Sequence, residues 1–198
     1  MTRDDSFEQV EFILYVALTG LAAGALVVGW ILHVEGIVRL GAAYPAMVPA
    51  TALGLLLLGL SGIASTRGRT GLSMALILFA GALVAALFLL QQAGLRSIAG
   101  LQVFGIGERD IISPATALFF VAAMLAAVLQ AQRAELAPIA GLWGLFLLST
   151  AIGVAVVAAS GVGLARSWPL YGMAFQTALA FALYFAALSI GSLARDSL

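Results

Sequence analysis

His33, the sequence's one histidine, stands two residues before Glu35. An imidazole beside a carboxylate titrates near neutrality, so the pair is a candidate pH-sensing element. It is a poor metal site, because metals take three or four protein ligands and one histidine supplies too few. Glu108, Arg109 and Asp110 form a run of three charges in a loop. They stand just before an apolar segment, where Arg109 and Asp110 are candidates for the rim of a ligand pocket. A third set is hydroxylic. Thr51, Thr116 and Thr177 each begin a Thr-Ala-Leu triplet that opens an apolar run. With no cysteine, thiol catalysis and thiolate metal sites are excluded. No Ser-His-Asp set, paired carboxylates or metal cluster appears, so a non-catalytic protein is expected, and no cofactor is indicated.

The elements that hold these residues are membrane helices. Of 198 residues, 63% are hydrophobic and 9% charged, and mean hydropathy is +1.13. Soluble domains carry roughly 25% charged residues. The net charge is zero and every basic residue is arginine, so nothing points to nucleic acid. The fold class expected is all-α: a polytopic membrane protein with six transmembrane helices. The expected spans are 12–33, 49–65, 70–91, 114–130, 138–160 and 169–191, with the second and fourth near the lower length limit. They read as helices because the apolar runs are continuous and each span must satisfy its own backbone. Residues 1–11 form a polar, acidic tail without the basic start of a signal peptide, so the first helix is expected to be retained. Residues 193–198 form the other tail.

The triplets set the organisation. "MVPATAL" from Met47, "ISPATAL" from Ile112 and "MAFQTAL" from Met173 align, at a period of roughly 60–65 residues. Each opens an even-numbered helix. The unit is therefore a helical hairpin, repeated over about 12–66, 70–132 and 138–192. Proline suits the first helical turn, where its missing N–H has no partner to lose. Threonine there satisfies a free backbone group, and alanine lets a neighbouring helix approach. Three helix N-termini with partial positive charge would then line a pocket near the outer surface, with Thr51, Thr116 and Thr177 as ligand-binding candidates.

Arginines orient the chain. Arg3, Arg67, Arg69, Arg133 and Arg195 fall on the side of the N-terminus; Arg39, Arg96, Arg109 and Arg166 fall on the other. The short loops concentrate their charge on the first side, which places both termini in the cytoplasm. Tyr44, Phe104, Trp168 and Tyr171 would form the outer aromatic belt. The 94–113 segment, with Leu95, Ile98, Leu101 and Phe104 spaced by three, suits a short surface helix. Gly20 and Gly24 form a G-x-x-x-G that offers a close-packing face. The spans between Arg69 and Arg96, Asp110 and Arg133, and Glu135 and Arg166 contain no ionisable side chain. Pumps and proton-coupled transporters keep such groups at membrane depth, so that class is disfavoured.

"MVPATALGLLLLGLSGIA" and "GERDIISPATALFFVAAML" resemble the membrane-associated sensor (MASE-type) regions of bacterial signalling proteins. The resemblance covers roughly residues 30–192 and rests on the Pro-x-Thr-Ala-Leu recurrence. Such regions lie N-terminal to histidine kinase or diguanylate cyclase output domains, often with a PAS domain between. The resemblance implies a bacterial inner-membrane sensory domain that recognises a small apolar ligand, a lipid or a membrane partner and signals through the sixth helix. The third copy has Phe175 where the others have Pro49 and Pro114, and Leu198 follows helix six closely. The expectation is an excised sensor region or a stand-alone relative acting through a membrane or cytoplasmic partner or as a homo-oligomer. The alternative is a non-catalytic accessory subunit packed in a larger membrane complex.

Overall fold

The computed structural model describes residues 3–39, 44–94, 111–132, 137–160 and 173–195. Among them the regular structure is entirely helical. Helix α1 spans Arg3–Gly24 and continues as a π-helical turn over Ala25–Ile31. A short helix, α2, covers Glu35–Val38, followed by α3 (Pro49–Thr66), α4 (Thr70–Gln92), α5 (Pro114–Gln132), α6 (Ala137–Ser160) and α7 (Phe175–Arg195). Among the described residues four stretches are long and apolar enough to cross a membrane: Ser6–Ile31, Pro49–Thr66, Thr70–Gln92 and Phe175–Ser192. Shorter apolar stretches occupy α5 (Pro114–Leu129) and α6 (Gly141–Val157).

Local chemistry explains the boundaries. Pro49 and Pro114 stand at the first positions of α3 and α5, as their lack of an N–H allows. At the other end of α3, the Gly68 N–H donates to the Ser65 carbonyl and the Arg69 N–H to the Ala64 carbonyl, both at 2.9 Å. Gly68 has φ +71. This is a Schellman closure, and it needs a residue that tolerates the left-handed region. It turns the chain directly into α4. The first helix begins at Arg3 rather than near residue 12, so it takes in most of the acidic segment read as a tail. A helix propagates through polar residues once its apolar part is anchored.

The long helices close into a ring, α1–α3–α4–α5–α6–α7, with α7 packed back on α1. Within it α3 and α7 are inner helices, and α1 and α4 are outer ones. In α3 and α7, 61% and 72% of the apolar window is buried, against 28% in α1 and 22% in α4. Helix α7 also touches α3 and α5 across the middle. There Phe181 packs on Phe119 and Phe120, each with ring centres 5.1 Å apart, and on Phe185 at 6.0 Å. Small residues permit these approaches, because lipid supplies no hydrophobic drive between helices. A side chain on Gly54 would strike Phe120 and Val84; on Gly62, the Tyr15 ring; on Gly59, Thr19. Gly141 and Gly144 admit Ser192 and Ser189. At the expected close-packing pair, Gly20 and Gly24, an added side chain would meet no neighbouring helix within 4 Å among the described residues. Close contact falls instead on the glycines of inner helix α3 and of α6, because the 20/24 positions turn away from the neighbours of α1.

Candidate functional site

The three Thr-Ala-Leu openings take the same local form. The N–H groups of Ala52, Ala117 and Ala178 donate to the carbonyls of Val48, Ser113 and Ala174, at 3.0, 3.2 and 3.0 Å. Thr51, Thr116 and Thr177 are all buried, as are Met47, Ile112 and Met173 ahead of them and Leu55, Phe120 and Phe181 one turn on. The leucine of each triplet is exposed. Ser113 caps α5: its Oγ accepts the Thr116 N–H at 3.1 Å and lies 2.9 Å from the Thr116 hydroxyl. Among the described residues no hydrogen bond joins one of these threonines to another.

The preceding helix pins the first two openings. The Trp30 indole N–H donates to the Met47 carbonyl at 2.9 Å. Gln91, at the end of α4, grips the Ile112 peptide on both sides. Its Oε1 accepts the Ile112 N–H at 2.9 Å, and its Nε2 donates to the Ile112 carbonyl at 3.0 Å. Both clamps satisfy backbone groups just outside a helix, where water is scarce and an unpaired group is costly. In the third opening Gln176 is buried, and its Oε1 has no hydrogen-bond partner among the described residues.

A cavity lies at the other end of the inner helices. Ser61 is ten residues beyond Thr51 on α3, about 15 Å along the axis. Here α1, α3, α4, α5 and α7 surround a space of about 310 Å³. Six hydroxyl-bearing residues line it: Tyr15, Ser61, Ser65, Thr70, Ser73 and Tyr184. Met74, Ile77 and Leu188 supply apolar wall, and Gly62 and Ala127 keep the space open. Among the described residues no charged side chain lines it. The Ser61 hydroxyl donates to the Ser73 carbonyl at 2.8 Å, and the two hydroxyl oxygens lie 2.9 Å apart. The Ser65, Thr70 and Tyr184 hydroxyls make no hydrogen bond among the described residues. A hydroxyl both donates and accepts, so this wall suits a ligand with oxygen functions and an apolar body.

The expected site residues distribute elsewhere. Thr51, Thr116 and Thr177 head their helices and do not line the cavity. His33 is exposed just after the π-helical turn, with φ +56. Glu35 is exposed on α2, its carboxylate 4.0 Å from Arg39 Nε. Arg109 and Asp110 lie outside the described residues, as do Phe104, Trp168, Tyr171 and most of the 94–113 segment. Sequence reasoning missed Tyr15, Tyr184, Ser61 and Ser73. It also missed Glu11, 5% exposed on α1, against which Gly191 of α7 packs without room for a side chain. A signal for the cavity was present: Ser61, Ser65, Thr70 and Ser73 cluster around one turn between two apolar runs. Compared with protein-family models, curated proteins and solved structures, the chain matches none.

Proposed function

We propose that this chain is a membrane-embedded, receptor-like domain of six spanning helices, built as three hairpins, that binds a small lipid-like ligand. The observation that carries this reading is the 310 Å³ hydroxyl-lined cavity inside the ring. Ligand pockets begin at about 300 Å³ and combine apolar walls with a few placed polar groups. The repeated backbone geometry and burial of the three openings support the triplicated hairpin. The resemblance to MASE-type regions supports a sensory role in the bacterial inner membrane, with both termini cytoplasmic.

Helix α7 is the natural output element. It contributes Tyr184 and Leu188 to the cavity wall, and three residues beyond Leu188 it meets Glu11 through Gly191. A ligand that repositions the Tyr184 face shifts the end of α7 against α1, the form of helix displacement that switching proteins use. A partner reading that displacement is part of the proposal.

The test is native mass spectrometry of the protein released gently from its own membrane, beside an Ala127→Phe variant. Phenylalanine at Ala127 fills the cavity from α5. A small molecule retained by the natural chain and lost from the variant is the expected result. A stoichiometric set of other subunits with no bound small molecule overturns the reading in favour of an accessory subunit.

A further inference from the structure

The cavity ends at an unusual turn. Between the lining residues Ser65 and Thr70 the chain reads Thr66-Arg67-Gly68-Arg69. The Schellman closure through Gly68 fixes this backbone, and both arginines stand in the four-residue turn between the two lining residues. Both are exposed, and neither has an ion-pair partner among the described residues. Arg67 Cζ stands 5.5 Å from the centre of the Phe12 ring. That contact orients the guanidinium and leaves its N–H groups available. The apolar stretches of α3 and α4 end at Thr66 and start again at Thr70, so the turn marks the membrane boundary, the depth of lipid phosphates.

We infer that the cavity and this turn together hold the head group of an anionic phospholipid. The inference rests on reading the cavity as the ligand site. Arg67 and Arg69 meet the phosphate oxygens, which guanidinium groups recognise in planar, bidentate fashion. The free hydroxyls of Ser65, Thr70 and Tyr184 meet the glycerol and ester oxygens, and Met74, Ile77 and Leu188 meet the first carbons of the tails. A phosphate ion alone has no use for that apolar wall, which favours a lipid over a free anion of the same chemistry.

The full-length chain is equilibrated with phosphatidylcholine vesicles carrying a minor fraction of phosphatidylglycerol, and the lipids that survive gentle release are counted by native mass spectrometry. A basic residue near an anionic membrane surface contributes roughly fivefold in binding. The natural chain should therefore retain phosphatidylglycerol at least about fivefold over its share of the bilayer. Arg67→Gln/Arg69→Gln should fall to the bulk ratio, and Arg67→Lys/Arg69→Lys should lie between. Both arginines are exposed, so circular dichroism and elution volume should be unchanged. A preference that survives the double glutamine variant overturns the inference. Displacement of the lipid by millimolar inorganic phosphate overturns it in favour of a free anion. Lipid retained at the bulk ratio, while Ala127→Phe still expels another small molecule, sinks the lipid assignment and leaves the receptor reading standing. If Ala127→Phe and a second filling variant, Ser65→Leu, change nothing bound, the cavity reading itself fails.

Discussion

Replacing Gln91 by methionine should destabilise the protein by roughly 2–6 kcal/mol, almost all of it from two backbone atoms of another residue. Gln91 is 4% exposed. Its amide is the partner of both the Ile112 N–H and the Ile112 carbonyl, at 2.9 and 3.0 Å. Methionine nearly matches glutamine in length and volume, so packing is conserved and little cavity term arises. What changes is that a buried N–H and a buried C=O lose their partner. Each such loss costs about 1–3 kcal/mol, and more where no water can substitute. The assay is reversible unfolding of the purified chain in mixed micelles, followed by circular dichroism, with Gln92→Met as control. Gln92 is exposed one residue away, and its substitution should stay within about 0.5 kcal/mol, as surface changes do. Trp30→Phe offers a second comparison: it removes one hydrogen bond, to the Met47 carbonyl, together with part of a buried ring. If Gln91→Met costs no more than Gln92→Met, the clamp is not what secures the start of α5, and the account of how these openings are held is wrong.

Three further outcomes test the packing. Gly62→Val drives a branched side chain into the Tyr15 ring; overpacking of this kind costs about 1–3 kcal/mol, whereas Gly20→Ala meets nothing and should gain up to about 1 kcal/mol from helix propensity, both read from the same unfolding curves. Phe181→Ala removes the ring shared by Phe119, Phe120 and Phe185 and should cost about 3–5 kcal/mol, with α5 and α7 losing hydrogen-exchange protection before α4.

The sequence carried much of the element map because its punctuation is local. Proline, an apolar run and glycine mark α3 from Pro49 to the Gly68 turn, and Pro114 marks α5. The triplets were legible for the same reason, and their common role as buried helix heads follows from one repeated pattern. The site was harder. Tyr15 and Tyr184 are 169 residues apart and become neighbours, rings 6.0 Å apart, only because α7 closes the ring against α1. Nothing in either helix alone distinguishes those tyrosines from interfacial ones. The threonines drew attention because they recur, yet recurrence here tracks helix initiation rather than the cavity. Gly20 and Gly24 show the converse: correct motif spacing on a face with no neighbour. Gln91 looked like a polar helix end, and its grip on Ile112 depends on where the loop after α4 returns.

The π-helical turn over Ala25–Ile31 sets a phase within the first helix. An α-helix advances about 100° per residue, and a π turn accommodates one residue more than an α turn. Tyr15 and Leu18, before this turn, and Trp30, within it, are all buried. In a regular helix the surplus residue would put these two sets out of step by about that angle. The first helix thus behaves like a text with one inserted letter. Shortening it by a single residue there would leave the chain to choose between keeping Tyr15 at the cavity and keeping Trp30 on the Met47 carbonyl. One wide turn lets a single rigid rod answer to a cavity at one end and a helix head at the other.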